Sequence, residues 1–249
     1  MLYFIFVIGT IFGSFYGVVG TRLPEGKSIV KPRSHCEKCG HILKWYENIP
    51  ILSYIFLGGL CKKCKNPIGF VYFLTELLSG CLFALCYKIY GLNYEFFIAI
   101  ILSSLVIIIF VSDSKYMIIN DSPLIVSAIL IFIIKWLNTG IVSALMSLVY
   151  GLIIFGVAYL LMLFGSLAFK QEALGGGDIK LSFVAGMVLG VKLGILYIVL
   201  ASFLAFPYAV YVTLKNKDNM LPFGPFLVSS LLIIYLNMNI ISEIIKVIF

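Results

Sequence analysis

Charge is the scarcest ingredient of this sequence. Of its 249 residues only 12% are Asp, Glu, Lys or Arg, while 62% are hydrophobic. Soluble domains carry about 25% charged and roughly 45–50% apolar residues, so that class is excluded. The marks of a removable leader are scarce as well, and none is expected. Met1 to Gly20 has no basic n-region and no A-x-A-like site before Arg22, so it reads as a retained first transmembrane helix. Nor is there a Rossmann-like glycine fingerprint, or an internal repeat of the kind that relates the halves of many transporters.

What is present is a series of apolar runs, each near the roughly 20 helical residues that cross a hydrocarbon core of about 30 Å. The expected class is an all-α polytopic membrane protein. Hydropathy suggests about eight transmembrane helices, over 2–20, 71–90, 95–112, 122–138, 141–168, 179–193, 195–214 and 222–247, with Gly194 dividing the sixth from the seventh and six crossings with two hydrophobic hairpins as the alternative. The chain divides into a first transmembrane helix (1–20), a polar loop domain (21–70) and a transmembrane domain (71–249).

The net charge of +7 does not point to nucleic acid, because of where it sits. Nine of the basic residues lie between Thr21 and Gly69, opposed only by Glu25, Glu37 and Glu47. A basic loop beside membrane spans is the positive-inside signal, which places this loop in the cytoplasm and the N-terminus outside. Lys115, Lys170, Lys180, Lys215 and Lys217 join it on the inner side; Lys88, Lys135, Lys192 and Lys246 fall at outer ends.

Ionisable groups at the ends of lipid-buried segments are costly and mark functional sites by default. The chain has four aspartates: Asp113, Asp121, Asp178 and Asp218. Asp218 lies in a polar turn, and Asp121 opens a span, where an acid complements the helix dipole. Asp113 closes an apolar run, and Asp178 follows Gly175, Gly176 and Gly177 at a membrane boundary. Both fall on the same membrane face in the expected topology. The glycines could bare backbone to an extended substrate, or simply let helices pack closely. Lys180, in the same active-site loop as Gly175 to Gly177, would either steer the acid pair or mark the cytoplasmic interface, the latter being the preferred reading. Gly186 and Gly190 have the small-xxx-small spacing of packed helices.

Cys36-x2-Cys39 and Cys61-x2-Cys64, with twenty-one residues between the pairs, form two knuckles that supply four thiolates for tetrahedral zinc. In a reducing cytoplasm disulfides are disfavoured. A four-cysteine site is coordinatively closed, so the zinc is structural. Gly40 suits the turn after the first pair, and Asn66 that after the second.

These residues together resemble the bacterial type IV prepilin peptidases (prepilin leader peptidase/N-methyltransferases). The resemblance runs through Gly13-Ser14-Phe15, Arg22-Leu23-Pro24, Pro32 to Cys36, both cysteine pairs, Leu43 to Pro50 with Leu52-Ser53-Tyr54, and Glu76 to Gly80. It continues through Asp113 to Asp121, Gly175 to Lys180, and Pro222 to Phe226. It implies a GxGD-type intramembrane aspartyl endopeptidase of the bacterial plasma membrane, with Asp113 and Asp178 as the catalytic pair. Such enzymes remove the basic leader of prepilins and pseudopilins on the cytoplasmic side. Many then methylate the new N-terminus with S-adenosylmethionine. The substrates serve type IV pili, type II secretion or DNA uptake.

For methylation Glu47 is the residue to test, against the alternative of a solvent-exposed loop acid. Two departures from the family pattern stand out: Asn120 where a proline is usual, and Gly17 where many members carry asparagine, the latter bearing on methylation rather than cleavage. The competing readings are a peptidase without methylation and an ion-coupled transporter that uses membrane aspartates. No cofactor is expected for proteolysis.

Overall fold

A computed structural model describes residues 1–169, 174–215 and 222–248. The expectations for Lys170, Lys217 and Asp218 lie outside those residues, as does the side chain of Lys246. Among the described residues the protein is helical throughout, apart from turns and two isolated β-bridges in the loop domain. The long elements are α1 (Leu2–Arg22), α3 (Phe70–Tyr90), α4 (Tyr94–Tyr116), α5 (Asp121–Thr139), α6 (Ile141–Phe169) and α7 (Gly176–Lys215). The short helix α2 (Leu52–Phe56) lies in the loop domain, and α8 (Gly224–Leu236) and α9 (Met238–Ile248) close the chain. Among the described residues six helices are long and apolar enough to cross a membrane, so this is a multi-pass membrane protein.

The expected sixth and seventh spans fall within one 40-residue helix, α7. At about 1.5 Å per residue that is roughly 60 Å, twice the hydrocarbon thickness. The run is broken at Gly190 (φ 73°, ψ −171°), not at Gly194. Glycine alone tolerates that conformation cheaply, so Gly190 is a hinge between two helical pieces and not the packing residue its spacing suggested. Gly186 and Gly194 do the packing: a Cβ at Gly186 would lie 2.6 Å from the Tyr150 carbonyl oxygen, and one at Gly194 2.7 Å from Ile154. The expected eighth span also differs. It is two helices of 13 and 11 residues meeting at Asn237, each shorter than a crossing requires.

Breaking a helix in an apolar interior strands carbonyls that would bond four residues ahead. Met187 would pair with Val191 in an unbroken helix. Instead its carbonyl oxygen accepts the Lys135 ammonium of α5 at 2.6 Å. A cation at the end of the first helical piece also opposes the negative end of its dipole.

Bundle assembly rests on close backbone approach, since lipid supplies no hydrophobic drive between helices. Gly9, Gly13 and Gly17 form a four-residue stripe along α1 against α3. A Cβ at Gly13 would stand 2.7 Å from the Thr75 carbonyl oxygen and 2.8 Å from the Glu76 Cα; one at Gly9 would meet the Ser79 carbonyl oxygen at 2.8 Å. From the α3 side, Gly80 faces Thr10 and Phe6 of α1. The α4 helix is the most deeply buried of the six spans, whereas α5 and α6 turn most of their apolar surface outward, as lipid-facing helices do. Of the aromatic residues at span ends, Tyr3, Trp136 and Tyr211 are exposed as a belt requires. Tyr90 is not: its hydroxyl donates to the Tyr235 carbonyl at 2.7 Å inside the bundle.

The α1–α3 seam makes Gly13 sensitive to any side chain. Gly13→Val should destabilise the bundle by at least about 1–3 kcal/mol, the usual cost of overpacking. A lowered melting temperature in detergent is the readout, and an unchanged one would remove the seam from the folding account.

Candidate active site and metal centre

The last turn of α4 carries Asp113 and the first turn of α7 carries Asp178, and both carboxyls are buried. Each has a helix N-terminus as its polar partner. Gly224 begins α8, with Pro225 behind it, so its N–H is among those that no intrahelical carbonyl can satisfy. That N–H donates to Asp113 Oδ2 at 2.9 Å. Asp178 sits in the positive end of its own helix, and its Oδ2 takes a longer bond of 3.3 Å from the Gly175 N–H. The other oxygen, Asp178 Oδ1, is buried and has no partner.

Ile119 packs at the junction of the helix ends that carry the two acids. It lies in the linker that follows Met117, whose left-handed conformation ends α4 four residues beyond Asp113. A Cβ on Gly177 would come 2.6 Å from the Ile119 Cβ, and one on Gly224 would come 2.9 Å from Ile119 Cδ1 and 2.8 Å from Asp113 Oδ2. The ends of α4, α7 and α8 therefore close around one side chain, and Asp113 acts on Asp178 as an electrostatic neighbour.

The three glycines divide their roles. Gly177 permits the approach to Ile119, Gly175 wraps its N–H onto Asp178, and Gly176 faces open space. None takes a positive φ. Lys180 has a partner the sequence reading did not give it: both oxygens of Asp121, at 2.7 and 2.8 Å. This half-exposed pair ties the start of α5 to the start of α7 beside the acids. Asp121 does open α5, although no side chain caps that helix.

The four cysteines are all free thiols, and their sulfurs lie within 4.8 Å of one another. Two pairs between the knuckles are Cys36 to Cys64 at 3.7 Å and Cys39 to Cys61 at 3.9 Å. Tetrahedral sulfur ligands at about 2.3 Å from a central ion stand about 3.8 Å apart, so the donor set fits a metal. The two knuckles repeat one backbone pattern. The Cys36 N–H donates to the His41 carbonyl and that of Gly40 back to Cys36; the Cys61 N–H donates to Asn66 and that of Lys65 back to Cys61. Gly40 (φ 67°) is matched by Lys65 (φ 56°), so the second turn falls on Lys65 and not on Asn66. Within these turns the Cys39 and Lys38 amides lower the Cys36 thiol to about 7, and the Cys64 and Lys63 amides lower that of Cys61. Cys36 and Cys61 are thereby biased toward the thiolate that a metal requires, whereas Cys64, despite the Asn66 amide, is pushed up to about 11 by burial and the facing thiols.

Glu47 is buried, not a solvent-exposed loop acid. Its carboxylate accepts the Lys44 N–H at 2.8 Å, meets His41 Nε2 at 3.1 Å and lies 3.9 Å from Lys62. The Lys44 amide first, then His41 and Lys62, hold it below the usual carboxylate range. One carboxylate thus joins a residue beside the first knuckle to one inside the second.

The cysteine module and the acid pair occupy the same end of the bundle. Tyr116, three residues past Asp113, donates its hydroxyl to Glu25 at 2.6 Å. A cavity of about 820 Å³ lies between the module, the end of α1, the start of α3 and the last turn of α4. Sequence reasoning missed this cavity, the Gly224 amide and the buried Glu76. Each is formed by segments far apart in the chain.

Fold and site define a class: a polytopic helical membrane protein with a paired-acid centre beside a four-cysteine module. The chain belongs to the type IV leader peptidase family. Its residues 100–210 match the model of that name, and residues 7–90 match the bacterial peptidase A24 N-terminal domain. It is 38% identical over 239 residues to the prepilin leader peptidase/N-methyltransferase of Bacillus subtilis, covering 95% of this chain and 94% of that protein. The protein of the same name from Vibrio cholerae is 30% identical over 247 residues, covering 94% and 96%. That of Myxococcus xanthus is 39% identical over 189 residues, covering 75% of this chain and 55% of the relative. No solved structure matches the chain.

The sulfur geometry leads to a direct measurement. Purified protein should carry about one tetrahedrally bound metal per chain, and the Cys36→Ser/Cys61→Ser variant should lose it. Elemental analysis decides, and full metal content in the double variant would reject the centre.

Proposed function

We propose that the protein is a membrane-embedded aspartyl endopeptidase that removes the basic leader of prepilins or pseudopilins and then methylates the new N-terminus. Two buried carboxyls held beside each other by helix N-termini, one with an oxygen left unpaired, carry the reading. The names of the relatives support the substrate and both activities.

Two adjacent carboxyls cannot both ionise easily, so they share one proton. The ionised member takes a proton from water as its oxygen attacks the scissile carbonyl carbon, and the protonated member donates to the carbonyl oxygen. On collapse the C–N bond breaks and a proton passes to the leaving nitrogen. Asp113 and Asp178 titrate as one unit, so the order of protonation belongs to the pair. Proteolysis needs no metal here. Gly175 to Gly177 would admit an extended substrate backbone, for which open space at Gly176 is the support. The pair formed by Lys180 and Asp121 would keep the two helix starts in register.

The metal held by Cys36, Cys39, Cys61 and Cys64 is assigned as structural zinc, since four thiolates leave no open position. S-adenosylmethionine would supply the methyl group when bound. Glu47 would serve methylation by bracing the two knuckles, because its carboxylate is already committed. The expected topology puts the 21–70 domain and both acids in or facing the cytoplasm, with the N-terminus outside, and the basic loop supports it. The transporter reading calls for acids near span centres. Both acids here lie in terminal turns.

Co-expression with a prepilin tests the assignment. Asp113→Ala and Asp178→Ala should each lower leader removal by at least about 10²-fold, the lower bound for losing an acid–base group. Complete processing by either variant would refute it. Mass spectrometry of mature pilin should show one added methyl at the N-terminus, and an unmodified terminus would leave a peptidase alone.

A further inference from the structure

The 820 Å³ cavity falls within the range of small-molecule sites and is not used by the cleavage chemistry. Four acids line it: Glu25, Glu37, Glu47 and Glu76. Glu25 is paired with Lys27 and the Tyr116 hydroxyl, and Glu47 with His41 and Lys62. Glu37 is exposed at the rim. Glu76 is buried in the second turn of α3 and takes part in none of the ion pairs found among the described residues.

A carboxylate this deep in a span is a functional candidate by default. Its surroundings fix it firmly. The Glu76 Cα is pressed against Gly13 of α1. One oxygen, Oε2, accepts the Ile51 N–H at 2.7 Å. Ile51 has φ 62° and ψ −53°, a conformation that a β-branched residue adopts only when its surroundings impose it. Such strain concentrates where a ligand site is pre-organised. Glu76 lines the cavity, with the Ser14 side chain as a second hydrogen-bonding neighbour.

We infer that Glu76 is the cation-recognising residue of the methyl-donor site, its carboxylate set against the sulfonium of S-adenosylmethionine bound in this cavity. The inference rests on the methyltransferase reading above. The rest of the lining suits the same ligand. Tyr54, Tyr72 and Phe73 offer aromatic faces for an adenine, and Lys115 a cation for the amino-acid carboxylate. Glu76 and the α4 turn that follows Asp113 line the same cavity. A new N-terminal amine released at Asp113 arrives from that direction, so the methyl-bearing sulfur must face the same way. The charged sulfur then meets the one buried carboxylate of the cavity lining that has no cationic partner among the described residues. In transfer the amine lone pair forms the N–C bond as the C–S bond breaks, and the sulfur keeps that electron pair and becomes neutral. Glu76 holds the donor in place and accepts no proton.

Calorimetric binding of S-adenosylmethionine and of S-adenosylhomocysteine, which lacks the sulfonium charge, tests this on purified full-length protein. Glu76→Gln retains an oxygen for the Ile51 N–H. It should weaken S-adenosylmethionine binding at least tenfold and S-adenosylhomocysteine binding less than threefold, with metal content and melting temperature unchanged. Glu76→Asp should retain the preference for the charged ligand even where its affinity falls. Wild-type affinity in Glu76→Gln, or equal loss for both ligands, would overturn the inference. Wild-type protein that binds neither ligand would instead remove the methyltransferase reading on which it stands.

Discussion

The N–H of Gly224 reaching Asp113 is the contact on which the arrangement of the bundle end depends. A carboxylate at a membrane boundary needs donors, and in a chain so poor in charge few side chains can supply them. Helix starts provide them instead, with a partial positive charge included. To bring the start of α8 to the end of α4, the chain must close a loop over 111 positions, and Ile119 must fill the space left between α4, α7 and α8. Any larger residue at Gly177 or Gly224 would meet Ile119 or the carboxylate itself.

The same economy governs the far end. There the Met187 carbonyl, freed by the break, takes the ammonium of Lys135 near the end of α5. The hinge at Gly190 and Lys135 on α5 are thus one device, although 55 positions separate them in sequence. It allows a helix long enough for two crossings to change direction without leaving an orphan acceptor in the interior.

Much of this was legible in advance. Apolar runs gave α1 and α3 to α6 to within a few residues, because hydrocarbon thickness sets helix length directly. The cysteine knuckles were legible because their ligand spacing is local. What escaped is what depends on tertiary approach. Hydropathy cannot tell a hinge at Gly190 from a loop at Gly194 in a continuous apolar stretch, since both sides read alike. It merged α8 and α9 for the same reason. The sequence reading gave Lys180 no partner, because Asp121 lies 59 positions away. Glu76 looked like part of a helix signature because its meaning comes from Ile51, which only the folded loop brings to it.

The short distance from Asp113 to Tyr116 gives the molecule the character of a relay. Three helical residues, about 4.5 Å along the axis, separate the acid that would free an amine from the wall of the chamber that would modify it. A product formed so near its next reagent does not dilute into the cell before the second step. Its effective concentration is set by the tether of its own membrane segment rather than by its abundance. On the function proposed, cleavage and methylation would run in a fixed order because the first reaction delivers its product to the entrance of the second.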